Sequence, residues 1–356
     1  MNIAIVAETA PAKTLIPIVE KIDGEIFSLT HSEGAMNLLS PYSSQIKSIG
    51  EGRRNSLQKR SNLTIGGLVL KDTFNVYNAL KKENIDLMFT CGNAGDVRKG
   101  ISAAKQLKIP RIHIEQDIYN PIEMIAYADL ITVPNKNSKK LLRSMYGITN
   151  TVNIKGYPQA EYVSRVPIME PETIYQHYKT DDFYVLFLGG DTRASDIPLI
   201  IKEIEKLNKI IFVIAHRFDA KSVSQFVTKK HVFVIDGYVD LISLMNASQG
   251  VFYCAGMGVT IELGVLSVPA IKILGFHTEH ASNSLAQRLG IKIVSAYDID
   301  NTELHINKTS GKRLVKNGTK ASLKVAELTR DMSMFDQTRG GFSSLRKIWN
   351  QRKKYR

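Results

Sequence analysis

The residues most suggestive of chemistry lie in Gln249–Leu274, QGVFYCAGMGVTIELGVLSVPAIKIL. The apolar run Val251-Phe252-Tyr253-Cys254 reads as a short buried strand. A glycine turn, Ala255-Gly256-Met257-Gly258, leads into a helical pattern from Val259 to Ser267, and Ala270–Leu274 reads as the next strand. In such a βαβ unit the first helical amides have no partner within the helix. Together with the positive end of the helix dipole they form an anion site, here from Gly256, Met257, Gly258 and Val259. Glu262 follows about one turn later, and a carboxylate suits the two hydroxyls of a ribose better than a phosphate. A nucleoside diphosphate is the ligand this spacing suggests. Gly-x-Gly after a strand also serves as a plain tight turn, so the reading leans on the rest of the chain.

Three acids stand just beyond predicted strands: Glu8 after 2–7, and Glu115 and Asp117 after 110–114. Each could act as a base toward a hydroxyl within hydrogen-bond reach. A carboxylate capping a loop is the ordinary alternative. Glycine turns also follow the strand at 86–90 (Cys91-Gly92-Asn93-Ala94-Gly95) and the strand at 184–188 (Gly189-Gly190-Asp191-Thr192-Arg193).

Strands and helices alternate along the chain, which predicts parallel sheets covered on both faces. Helices are expected at 14–22, 66–83, 99–107, 120–127, 137–146, 198–207, 239–246 and 284–289. Further strands are expected at 25–29, 129–133, 152–154, 210–215, 232–235 and 292–294, and residues 30–62 show only weak periodicity. Three prolines, Pro158, Pro167 and Pro171, mark a loop-rich linker. The expected organisation is α/β: two Rossmann-like domains facing across a cleft, residues 1–157 and 176–310, joined by a linker at 158–175. A basic, mostly helical segment, 311–356, could pack back on the first domain. Ligands in such sheets bind beyond the carboxyl ends of the strands.

The 356 residues carry 47 Lys/Arg against 34 Asp/Glu, a net charge of +13 that favours polyanionic partners. From Lys308 onward fourteen basic residues face three acids, and Arg53, Arg54, Lys59 and Arg60 form a second cluster. No nucleic-acid-binding motif accompanies the charge. A phosphorylated substrate or an anionic membrane surface is therefore the expected partner, not nucleic acid; a merely solvated charged face is the bland alternative. Cys91 and Cys254 sit in apolar or strand-end settings, which points to a reducing compartment without a disulfide framework. The N-terminus lacks signal-peptide character, and no apolar run approaches the ~20 residues that span a bilayer. A cytoplasmic protein, peripheral to the inner membrane face, is expected.

The order of these features resembles the GT-B glycosyltransferases, most closely the MurG-like group that moves N-acetylglucosamine from UDP to a lipid-linked sugar. The resemblance spans about residues 3–295. It rests on Ile112-His113-Ile114-Glu115-Gln116-Asp117, Lys155-Gly156-Tyr157-Pro158, Leu186-Phe187-Leu188-Gly189-Gly190, Tyr238-Val239-Asp240, Gly256 to Pro269, and His277-Thr278-Glu279-His280 with Asn283. It implies an inverting UDP-sugar-dependent hexosyltransferase in cell-wall precursor synthesis, peptidoglycan- or pseudomurein-like, with no cofactor and no metal. Gly189, Gly190, Asp191, Thr192 and Gly256–Val259 would hold the diphosphate, aided by Arg193 or Arg217. Tyr238 and Val239 would meet the uracil, Glu262 the ribose, and Glu279, His280 and Asn283 the sugar. Lys13, Asn93 and Ala94 fall to the acceptor, and Glu115, Asp117 or Glu8 to the base. The first loop departs from the family: Ala10-Pro11-Ala12-Lys13 has neither glycine nor histidine. Ala160 stands where the family carries a donor-contacting arginine. Thr278-Glu279 also resembles the Thr-Glu of UDP-N-acetylglucosamine 2-epimerases, which share the fold, so epimerisation stands as the alternative. A non-enzymatic membrane- or nucleic-acid-binding protein is the reading that charge alone would allow.

Overall fold

The computed structural model describes residues 1–50, 62–93, 95–117, 121–276, 280–299, 302–331, 335 and 340–353. It divides into two compact units, Met1–Tyr162 with Lys316–Arg356, and Val163–Val315. The first unit holds a seven-stranded sheet built from β1 (Asn2–Val6), β2 (Glu25–Thr30), β3 (Gln45–Ser48), β4 (Leu87–Cys91), β5 (Arg111–Ile114), β6 (Leu130–Val133) and β7 (Thr151–Asn153). Their order is β3-β2-β1-β4-β5-β6-β7 and every ladder is parallel. The second unit holds β8 (Tyr184–Phe187), β9 (Ile211–Ile214), β10 (Val232–Ile235), β11 (Gly250–Tyr253), β12 (Ala270–Ile273) and β13 (Lys292–Val294). Their order is β10-β9-β8-β11-β12-β13, again parallel throughout.

Side chains alternate across a strand, so each sheet feeds two cores. In the first unit Ala4, Val6, Phe27, Leu29 and Met88 pack on one face. Ile3, Ile5, Ile26, Leu87 and Phe89 pack on the other. The chain's last part completes both. Ala321, Val325 and Leu328 of helix Lys308–Leu328 join one core, and Ile348 of helix Gly341–Lys353 joins the other. Arg352 of the latter helix lies 3.5 Å from Glu123, which Arg98 also holds.

Several elements differ from the sequence expectation, each for a local reason. The prolines at 158 and 171 open helices Pro158–Arg165 and Pro171–Tyr178, so the expected loop-rich linker is largely helical. Proline is preorganised for the first helical position, where its missing N–H costs nothing. The first helix starts at Thr9, ahead of Pro11, and the fourth strand is followed by a helix from Gly95 instead of Lys99. The polar edge strand β3 and helix Glu33–Leu39 fall in the weakly periodic stretch. Among the described residues no helix is long and apolar enough to cross a membrane. Both cysteines are buried and free.

Glycine 318 shows how tightly the C-terminal helix is seated. A Cβ there would lie 2.7 Å from the Tyr157 carbonyl oxygen and 3.0 Å from the Ala160 Cβ. In an open helix Gly→Ala gains about 1 kcal/mol. Backbone at this distance cannot yield, so Gly318→Ala is expected to lose about 1–3 kcal/mol instead, the cost of overpacking. Urea denaturation checks the sign; a stabilised variant would refute the packing.

Candidate functional site

In each sheet the order reverses beside its first strand, β1 in one unit and β8 in the other, and ligand crevices form at such switch points. In the second unit β8 runs into Gly189 and Gly190 while β11 runs into Cys254 and Ala255. A Cβ on Gly189 would sit 2.5 Å from the Ala255 Cβ and 3.0 Å from the Cys254 carbonyl oxygen. Only glycine lets the two turns meet. The buried Thr192 hydroxyl then donates to the Cys254 carbonyl at 3.1 Å, locking one turn to the other.

Arg217 follows β9 and donates from Nη2 to the Thr192 carbonyl at 2.6 Å. Its guanidinium lies over the rings of Phe218 and Phe276, 5.2 and 6.0 Å from their centroids. Burial lowers its pKa from the usual guanidinium value, and the nearby Asp191 carboxylate opposes that shift. Phe276, just past β12, donates its N–H to the Asp191 carbonyl at 3.1 Å. Gly275 is required there, since a Cβ would fall 2.1 Å from that same oxygen.

Gly256 is the N-cap of helix Met257–Leu266 and brings no side chain to its first amides. That helix begins two residues earlier than its apolar pattern suggests, so Met257, Gly258 and Val259 all lie in its first turn. Glu262 lies in the second turn and is 4% exposed. His280 caps the next helix, Ala281–Arg288, and its ring lies against Gly256, with Cε1 3.3 Å from where a Cβ would stand. Asn283 is in the first turn after it.

The fold thus gathers Gly189, Asp191, Thr192, Arg217, Gly256 and His280 at the carboxyl ends of β8, β9, β11 and β12. Arg193 is exposed on the adjoining turn. Tyr238 and Val239 lie on the turn after β10, two strands from β8, with Tyr238 96% exposed. Glu279 falls outside the described residues.

In the first unit the turns after β1, β4 and β5 collect carboxylates. Glu115 is buried, and its Oε1 accepts the Asp117 N–H at 2.6 Å. Its Oε2 is 3.4 Å from His113 Nε2, an ion-pair distance, and His113 Nδ1 is 3.0 Å from the Thr90 hydroxyl. Asn93 donates to the Asp117 carbonyl at 3.4 Å, and Gln116 donates to the Thr14 hydroxyl at 2.7 Å. Glu8 caps helix Thr9–Val19 without a side-chain hydrogen bond, and Lys13 sits in its second turn. Burial holds the Cys91 thiol far above its ordinary range, and the charges of Glu115, Asp96 and Asp117 add to the effect. Ala94 falls outside the described residues.

The sequence reading missed Asp96. It lies in the first turn of helix Gly95–Gln106, fully buried, with neither carboxyl oxygen hydrogen-bonded. Burial raises its pKa to about 8, and the neighbouring charge of Glu8 adds to the shift. An acid in a first helical turn is a start signal that the pattern from Lys99 obscured. One turn on, Lys99 donates to Asp72 at 2.5 Å and lies 2.7 Å from His31 Nε2, forming a buried polar cluster behind the acids.

Asp96 keeps its proton in the folded state through neutral pH but loses it near pH 4 when unfolded. Between those limits the native state binds the extra proton, so stability falls as pH rises. Asp96→Asn removes that loss. Its stability relative to the parent should grow between about pH 4 and about pH 8 in urea melts, and a constant difference would show that Asp96 ionises normally.

No protein-family profile matches the chain. It is 26% identical over 281 residues to a UDP-N-acetylglucosamine–N-acetylmuramyl-(pentapeptide) pyrophosphoryl-undecaprenol N-acetylglucosamine transferase of Staphylococcus saprophyticus, covering 74% of this chain and 70% of that protein. Among solved structures, a UDP-GlcNAc 2-epimerase of Methanocaldococcus jannaschii in complex with UDP-GlcNAc and UDP superposes with a TM-score of 0.65 at 19% identity. It covers 89% of this chain and 99% of its own. A Neisseria meningitidis UDP-GlcNAc 2-epimerase gives 0.65 at 14% identity over 94% and 99%. Acinetobacter baumannii MurG gives 0.51 at 14% identity over 93% and 99%. These structural likenesses bear on the fold, which is GT-B.

Proposed function

We propose that the protein is a UDP-N-acetylglucosamine-dependent enzyme of the GT-B fold that transfers the sugar to a lipid-linked acceptor. The observation that carries this reading is the paired turn at β8 and β11. There the Gly256-capped helix start, the Gly189-Gly190 turn and Arg217 converge with the chemistry a diphosphate needs. Departure of UDP builds negative charge on that diphosphate, and preorganised amide and guanidinium donors stabilise it. Glu262 is assigned to the ribose, Tyr238 and Val239 to the base, and Asn283 to the sugar.

Two further features support transfer. The curated relative matched in sequence is a transferase that uses an undecaprenol-linked acceptor. On helix Asn62–Lys82, Leu70 and Phe74 stand 73% and 62% exposed on one face, beside the exposed Lys71. Apolar side chains flanked by lysine suit an anionic lipid surface and a polyprenyl acceptor. The basic cluster Arg53, Arg54, Lys59 and Arg60 falls outside the described residues. Glu115, Asp117 and Glu8 remain the candidates for the base that takes the acceptor proton.

A second reading is 2-epimerisation, which the acids of the first unit favour. Removing and returning a proton needs carboxyl groups at the site, and Asp96, whose pKa burial raises to about 8, lies beside Glu8.

Incubation with UDP-GlcNAc separates the two. Transfer predicts UDP release only after a polyprenyl-linked sugar is added. UDP-ManNAc formed without any acceptor would instead establish the epimerase. For the surface, Leu70→Asp with Phe74→Asp should abolish cosedimentation with anionic vesicles while leaving UDP affinity intact; unchanged sedimentation would remove the membrane from the account.

A further inference from the structure

Lys272 is a lysine in the middle of a buried strand, and it is 0% exposed. It lies on β12 opposite Tyr253 of β11, directly below the glycine turn, with its ammonium 5.9 Å from the Tyr253 ring centroid. A charge so deeply buried is costly unless hydrogen bonds hold it. One of its bonds runs to Ser282: Lys272 Nζ donates to the Ser282 hydroxyl oxygen. An ammonium can only donate. The serine oxygen is therefore the acceptor in that bond, and its own proton is left for another partner.

That partner is His280. Ser282 Oγ lies 2.6 Å from His280 Nδ1, and the Ser282 backbone N–H donates to the same nitrogen at 3.2 Å. Two donors aimed at Nδ1 leave it no proton of its own. The neutral imidazole must then carry its proton on Nε2, since the bond at one ring nitrogen sets the role of the other. Nε2 lies 3.5 Å from where a Cβ on Gly256 would stand. The N–H is presented at the cap of the helix whose amides form the anion site.

We propose that Lys272 and Ser282 are positioning residues that fix His280 as an Nε2–H donor to the diphosphate held at the Gly256 turn. This rests on the nucleotide reading above and refines it: His280 addresses phosphate oxygen, not a sugar hydroxyl. The buried ammonium sets the direction of the hydrogen-bond chain. Serine is needed because it can accept from the lysine and donate to the imidazole at once.

The test combines ring-nitrogen NMR of the ligand-free protein with calorimetry of UDP and uridine on the parent, Ser282→Ala, Ser282→Thr and His280→Ala. The parent should show the Nε2–H tautomer. His280→Ala should weaken UDP about tenfold or more, the scale of one hydrogen bond to a charged group. Ser282→Ala should weaken UDP several-fold, Ser282→Thr should restore it, and uridine affinity should be unchanged in all. An Nδ1–H tautomer, undiminished UDP affinity in Ser282→Ala, or equal losses for UDP and uridine would overturn the relay and leave the nucleotide site standing. A parent protein that binds no UDP would instead bring down the nucleotide reading, and the role of His280 toward phosphate with it.

Discussion

At Gly189 the exits of β8 and β11 come into contact, and all that the second unit offers a ligand follows from that approach. A side chain there would collide with Ala255 and the Cys254 carbonyl. Without the contact, Thr192 could not reach across to Cys254, and the carbonyl that orients Arg217 would be displaced. Parallel pairing supplies the rest. Because all six strands of this sheet run the same way, their carboxyl ends open on one edge, and residues far apart in sequence meet there.

The first unit repeats the geometry with a different set of residues. Its strand ends bear acids, and desolvation separates them in character. Burial raises the pKa of Asp96 to about 8, and Glu115 accepts a hydrogen bond from the Asp117 amide. For Asp96, desolvation is the larger cause and the neighbouring charge of Glu8 adds to it. The Asp72–Lys99–His31 cluster behind them is buried and mutually satisfied, and it braces helix Asn62–Lys82 against helix Gly95–Gln106.

Buried cations recur in both units. Lys99 pairs with a carboxylate, and Lys272 donates to the Ser282 hydroxyl, which in turn meets His280. A lysine ammonium inside a sheet is expensive, and each cation has its partners within reach.

Much was legible from the chain alone. Apolar runs such as Val251–Cys254 mark strands because a strand covered on both faces admits few polar side chains. Glycine turns at 189–190 and 256–258 mark where strands give way to helices. Their alternation was enough for two parallel α/β units. Helix starts were less legible: Gly95 read as turn, and Pro158 and Pro171 as linker, because a first turn borrows the residues of loops. The polar strand Gln45–Ser48 was hidden because an edge needs only one buried face. Tertiary structure alone decided the rest. Nothing in the strand Ala270–Ile273 marks Lys272 as buried, and only packing from both sides encloses it. Nothing in the local sequence sets Asp96 apart, and only its burial and the neighbouring Glu8 raise its pKa. Local pattern is written in the chain because backbone geometry repeats every two or 3.6 residues. Burial and electrostatic environment are not, because they come from neighbours that only the fold brings near.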